Sequence, residues 1–146
     1  DVYKRQGKKV LGSRSHYLVH FGEKTWRMLK SAGLAYDSTL RPEEVGGYKP
    51  VELLEGFYEL PLTVMDSDLW GLWKLSEAEG WKHMVEKLYE ATKEPDGVFV
   101  LNAHQESFHM RGGRLYKKFL AKVVEENFEI MTCAEYLEKL RKEGGP

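Results

Sequence analysis

Residues 76–104 read SEAEGWKHMVEKLYEATKEPDGVFVLNAH, and this stretch decides the fold class. Its first part is helical. Trp81, Met84, Val85, Leu88 and Thr92 recur at i, i+3, i+4, i+7 and i+11, which is one face of a helix. Ser76, with Glu79 three residues on, makes a capping box that starts the helix, and Pro95-Asp96-Gly97 stops it. Val98-Phe99-Val100-Leu101-Asn102 is then a continuous apolar run, the pattern of a strand buried on both faces. His104 follows at its C-terminal end.

The same alternation runs outward in both directions. Lys9-Val10-Leu11-Gly12-Ser13-Arg14 reads as a short strand entering a loop that holds Ser15-His16-Tyr17. Residues 24–32 place Trp26, Leu29 and Ala32 on one helical stripe, with Gly33 as the cap. Leu34 to Leu40 is β-leaning, and Arg41 to about Gly56 reads as a loop broken by Gly46-Gly47 and Pro50. Tyr58 to Met65 is the next strand, ending at Asp66, and Pro61 inside it predicts an edge or a bulge. Residues 113–126 form a helix with Leu115, Phe119 and Val123 inward. Phe128-Glu129-Ile130-Met131 is a last strand, and Thr132 with Glu135 caps the final helix. Strand and helix thus alternate about four times, which predicts an α/β fold with a mainly parallel sheet. Four such units make half of a (β/α) barrel; an open doubly wound sheet also fits.

Composition bounds the function. The chain of 146 residues fits one domain, and 42% hydrophobic with 31% charged residues allow a buried core. Lys+Arg 22 against Asp+Glu 23 leaves a net charge of -1, which offers no electrostatic grip on nucleic acid or anionic lipid. No apolar run is long enough for a transmembrane segment. The single cysteine, Cys133, has no partner for an internal disulfide. Asp1-Val2-Tyr3-Lys4-Arg5-Gln6 lacks an initiator Met and any periodic pattern. Residues 1–6 are therefore expected to be a non-native leader, translated adapter read-through, before a partial domain at 7–146 that continues a longer upstream sequence.

In parallel α/β folds the working side chains gather at the C-terminal ends of strands. Four places qualify: Arg14 to Tyr17, Asp37, Asp66 to Trp70, and His104 to Glu106. A histidine after a buried strand can pass a proton near neutral pH, or it can be a rim residue that is merely hydrogen-bonded. Arg14 can clamp a carboxylate through two parallel hydrogen bonds, or sit in a surface salt bridge. Asp37 and Asp66 are candidate partners for it, or turn caps. The histidines lack a His-Glu-x-x-His helix and paired cysteines, so no complete metal site is expected within the chain. His83 is expected to face solvent from its helix. Trp70, Trp73 and Trp81 suit either sugar stacking or core packing. Gly112-Gly113 lacks the spacing of a phosphate-binding loop.

Arg14-Ser15-His16-Tyr17, Gly33 to Leu40, Glu59 to Asp66, and Val100 to Phe108 occur in an order that resembles the polysaccharide deacetylase (NodB-homology) family. Phe128 to Thr132 and the helix after it resemble the family's closing strand and helix, so the likeness covers nearly all of residues 8–142. It implies the C-terminal half of a distorted (β/α)7 barrel, TIM-like, belonging to a hydrolase that removes N-acetyl or O-acetyl groups from carbohydrates with a divalent metal, often zinc. On that pattern Arg14 orients the catalytic base, His104 is the general acid, and Asp66, with Asp37 as the alternative, is the carboxylate that tunes them. Tyr17 lends a backbone N–H to the oxyanion, while His16, Asp37 and Trp70 line the substrate. The family's Asp-Asp and His-x-x-x-His motifs, which hold base and metal, have no counterpart before Arg14 and are expected outside this chain. His16 stands where the family usually has proline. A non-catalytic carbohydrate-binding or scaffold domain of the same fold is the alternative expectation.

Overall fold

The computed structural model describes residue 7, residues 9–109 and residues 111–142, without the side chain of Arg111. The leader expected at 1–6 lies outside them. The chain runs β1 (Gly12–Ser13), α1 (Glu23–Ser31), β2 (Tyr36–Asp37), α2 (Pro42–Val45), β3 (Val51–Leu54), β4 (Phe57–Glu59), β5 (Leu62–Met65), α3 (Glu77–Thr92), β6 (Val100–Asn102), α4 (Arg111–Glu125) and α5 (Cys133–Lys142). Short helical turns follow three strands, at His16–Leu18, Asp68–Leu72 and Gln105–His109.

The fold is α/β with parallel strands. β1 pairs with β2, β2 with β4, and β5 with β6, all parallel, while β3 lies antiparallel on β4. β4 and β5 are two stretches of one extended segment. The amides of Tyr58, Leu60 and Leu62 donate to the carbonyls of Ala35, Asp37 and Leu40, so its ladder toward β2 runs unbroken past Glu59. On the other side the neighbour changes from β3 to β6. Pro61 sits at that changeover, where its missing N–H costs no ladder bond.

Two apolar clusters hold the layers. Val64, Leu69, Met84, Leu88, Leu115, Phe119 and Val123 close β5 and β6 against α3 and α4. Trp26, Leu40 and Phe57 close α1 against the β3–β4 hairpin. The Ser76–Glu79 and Thr132–Glu135 capping boxes both form.

Several expectations need correction. Phe128–Met131 forms no strand: the Phe128 amide donates to the Val123 carbonyl at the end of α4, Ile130 is exposed, Glu129 turns outward to Lys139, and no strand among the described residues pairs with this stretch. Within the expected 41–56 loop lie α2 and β3, because Pro42 suits a helix start and Val51 to Leu54 can pair with Phe57 to Glu59. Residues 98–102 are only half-buried, since β6 has β5 on one side and no strand on the other among the described residues. The inward stripe of α3 is Gly80, Met84, Leu88 and Ala91; Thr92 is exposed, and Trp81 is half-buried beneath the Lys118 ammonium, 4.0 Å from its ring centre.

Gly112 and Gly113 have a packing role. A Cβ on Gly113 would lie 2.1 Å from the Phe108 carbonyl oxygen, so only glycine lets α4 start against the 105–109 turn. Gly113→Ala is expected to cost about 1–3 kcal/mol, read as a lowered urea midpoint, by forcing that backbone apart. Gly71→Ala, where a Cβ meets nothing within 4 Å, is the control and should stay near wild type.

Candidate active site

Because β1, β2, β4–β5 and β6 point the same way, the residues just beyond them share one rim: Arg14, Ser38, Asp66 and, after Ala103, His104. The Met65–Asn102 register sets Asp66 beside the chain leaving β6. Asp66 Oδ2 accepts the His104 backbone N–H at 2.8 Å, and its Oδ1 lies 2.5 Å from His104 Nδ1. Oδ1 also accepts the Ser67 amide at 2.8 Å, and the Ser107 hydroxyl bonds the same carboxyl. Burial pushes Asp66 up, but the bonds from Ser107 and His104 outweigh it and hold the carboxyl below its usual value.

Asp66 is therefore a carboxylate and can only accept, which requires His104 to carry a proton on Nδ1. That fixes the ring and leaves Nε2, at its far side, to trade protons with solvent or a bound molecule. The His104 side chain is 45% exposed. An apolar cleft lined by Leu69, Trp70, Met84, Leu101 and Ala103 adjoins the pair.

Arg14 bonds neither Asp37 nor Asp66. Its Nε donates to the Ser38 carbonyl at 2.7 Å, one terminal nitrogen to Ser38 Oγ at 2.7 Å, and the other to Asn102 Oδ1 at 3.1 Å. Burial lowers the guanidinium from its ordinary value, with Cys133, Asp37 and Glu59 opposing. Asn102 stands two residues before His104, so the guanidinium and the imidazole belong to one rim.

The remaining predicted site residues divide by depth. Asp37 is 0% exposed and accepts the Ser13 hydroxyl, which sets it behind the rim, out of reach of a bound molecule. Trp70 is half-buried in the cleft wall. His16 and Tyr17 lie outside, ring against ring with centres 4.2 Å apart, and Tyr17 is 85% exposed. Tyr17 and Leu18 both have φ 55°, a left-handed backbone rare for residues with a Cβ. His20 stacks on Trp26, and His83 is half-buried against Trp73 instead of facing solvent. Among the described residues, no three His, Cys, Asp or Glu side chains converge to hold a metal ion.

Sequence reading missed Ser38, Asn102 and Ser107, whose roles depend on distant partners. It also passed over Glu59, although a lone charge in an otherwise uncharged strand was a usable signal. Arg41, which pairs with Asp68 and ties the turns after β2 and β5, went unnoticed as well.

Comparison with family models, with curated proteins and with solved structures gave no match. What the fold and the site define is a class: an α/β protein with a carboxylate-anchored histidine and a serine-held arginine on one rim. No helix among the described residues is long and apolar enough to cross a membrane.

Proposed function

We propose that this chain supplies the acid-catalyst side of a carbohydrate deacetylase, an acetyl-releasing hydrolase, and forms the C-terminal half of its barrel. The observation that carries the reading is the Asp66–His104 pair, with Nδ1 held by the carboxylate and the imidazole 45% exposed at the rim. In amide hydrolysis, water adds to the acetyl carbonyl and the C–N bond then breaks. The departing nitrogen needs a proton, which the Nε2–H of a doubly protonated His104 can give, while Asp66 stabilises the imidazolium. Arg14 holds a fixed positive charge on the same rim and suits a carboxylate brought from outside the chain. The described residues do not form a metal centre, so the divalent metal implied by the family resemblance would have its ligands elsewhere, and no step here runs through it.

The parallel order β1–β2–β4–β5–β6 with its shared rim supports the half-barrel reading, and Arg14 reaches Asn102 Oδ1 at 3.1 Å across that rim.

The test is to extend the chain upstream in its gene and assay acetate release from acetylated chito-oligosaccharides. Turnover is expected. An upstream sequence without Asp-Asp and His-x-x-x-His motifs, together with no acetate release, would remove the reading. Exposed Tyr17, Phe21 and Trp73 favour the second reading, a non-catalytic carbohydrate-binding domain, which glycan binding without turnover would support.

A further inference from the structure

One layer below the rim, Ser13, Asp37 and Glu59 stand at matched register positions on β1, β2 and β4. Glu59 is 0% exposed. Its Oε1 accepts two backbone amides, Thr39 at 2.7 Å and Leu40 at 2.8 Å, and its Oε2 has no hydrogen-bond partner among the described residues. An acid placed so deep, with one oxygen unanswered, is costly packing for its own sake. What its other oxygen fixes is the turn after β2. That turn presents the Ser38 carbonyl and hydroxyl to Arg14, and Thr39 Oγ1 to the Ser15 amide at 2.9 Å, at the start of the loop carrying His16 and Tyr17.

We propose that Glu59 is a positioning residue of the candidate active site: by gripping the Thr39 and Leu40 amides it aims Arg14 through Ser38 and pins the 15–17 loop through Thr39. The inference rests on the reading of Arg14 as a working residue of the rim. It reaches no bound molecule itself. Its requirement is an acceptor at the position of Oε1, which a glutamine carbonyl meets and a shorter aspartate does not.

The experiment is hydrogen exchange followed by NMR on this chain and on Glu59→Gln and Glu59→Asp. Glu59→Asp should speed exchange at least tenfold at the Thr39, Leu40 and Ser15 amides and at Arg14 Nε–H, while α3 and α4 amides keep wild-type rates. Glu59→Gln should not speed exchange at any of the four protons. Equal acceleration throughout α3 and α4 would show that Glu59 acts only through global stability and would overturn the proposal. An unmoved Arg14 Nε–H, with Thr39 and Leu40 opened, would overturn it too. If Glu59→Asp does not fold, exchange of the wild type in low denaturant decides. Arg14 Nε–H and the two turn amides should open as one unit below global unfolding, and independent opening would refute the link. Because the readout needs no turnover, absence of acetate release from the extended protein would remove the deacetylase reading and leave this linkage measurable.

Discussion

His104→Ala, made in the upstream-extended protein, should lower kcat for acetate release by about 10²–10⁴-fold, the usual worth of a placed general acid. KM should move far less, because the proton is passed only as the C–N bond breaks and contributes little to ground-state binding. The geometry specifies the partner variant. Asp66 Oδ1 takes the Nδ1 proton and Oδ2 takes the His104 amide, so Asp66→Asn removes the charge that stabilises the imidazolium. A smaller fall of about 10–100-fold is expected, and the double variant should be little worse than His104→Ala alone, since the two act as a unit. Wild-type turnover in His104→Ala would remove the acid role from the imidazole. Additive losses in the double variant would instead show that Asp66 works independently of the ring.

The second large effect concerns stability against pH and is centred on Glu59. Burial, then the neighbouring Asp37 charge, push its carboxyl from 4.5 up to about 8, against the Thr39 and Leu40 amides and Arg14. The folded state therefore keeps a proton that the unfolded chain releases. Its contribution is complete below about 4.5 and declines as the pH climbs from there to about 8. The slope is about 1.4 kcal/mol per pH unit across that window, an upper bound for a buried group. Glu59→Gln keeps the acceptor and removes the titration. It should thus be the more stable protein at pH 7, by an amount that grows until pH 8 and then levels off. Urea midpoints of the two proteins across pH 4–9 provide the measurement; parallel curves would mean that Glu59 ionises as freely in the fold as outside it. Asp66 runs the other way. Its carboxyl is held low by Ser107 and His104, so its contribution is present above the ordinary carboxylate range and is lost as pH falls through the folded value.

These two carboxylates show what could be read from the chain. Asp66 was legible because it closes an apolar stretch, and a strand end in a parallel sheet is a rim position whatever the rest of the fold does. His104 was legible on the same ground. Glu59 sits inside a strand, where alternation alone does not say which face is covered. Only the register with Asp37 and the turn folded over it make the position buried. Arg14 was placed at the right height but with the wrong partners. Asp37 looked like its natural counterion, yet Ser13 occupies that carboxyl and Arg14 reaches instead to Ser38 and, across the rim, to Asn102.

The sequence by itself determined the α/β class, the alternation of the main strands and helices outside residues 41–56 and 128–131, two capping boxes and the height at which polar groups emerge. Those follow from local periodicity and from backbone groups that must be satisfied within a few residues. The tertiary structure alone decided which strand ends meet, that Phe128–Met131 stays unpaired, that β3 folds back on β4, and which carboxyl is buried. Which strand ends meet and which carboxyl is buried depend on contacts between residues about 20 to 90 positions apart, and no local pattern encodes such pairings.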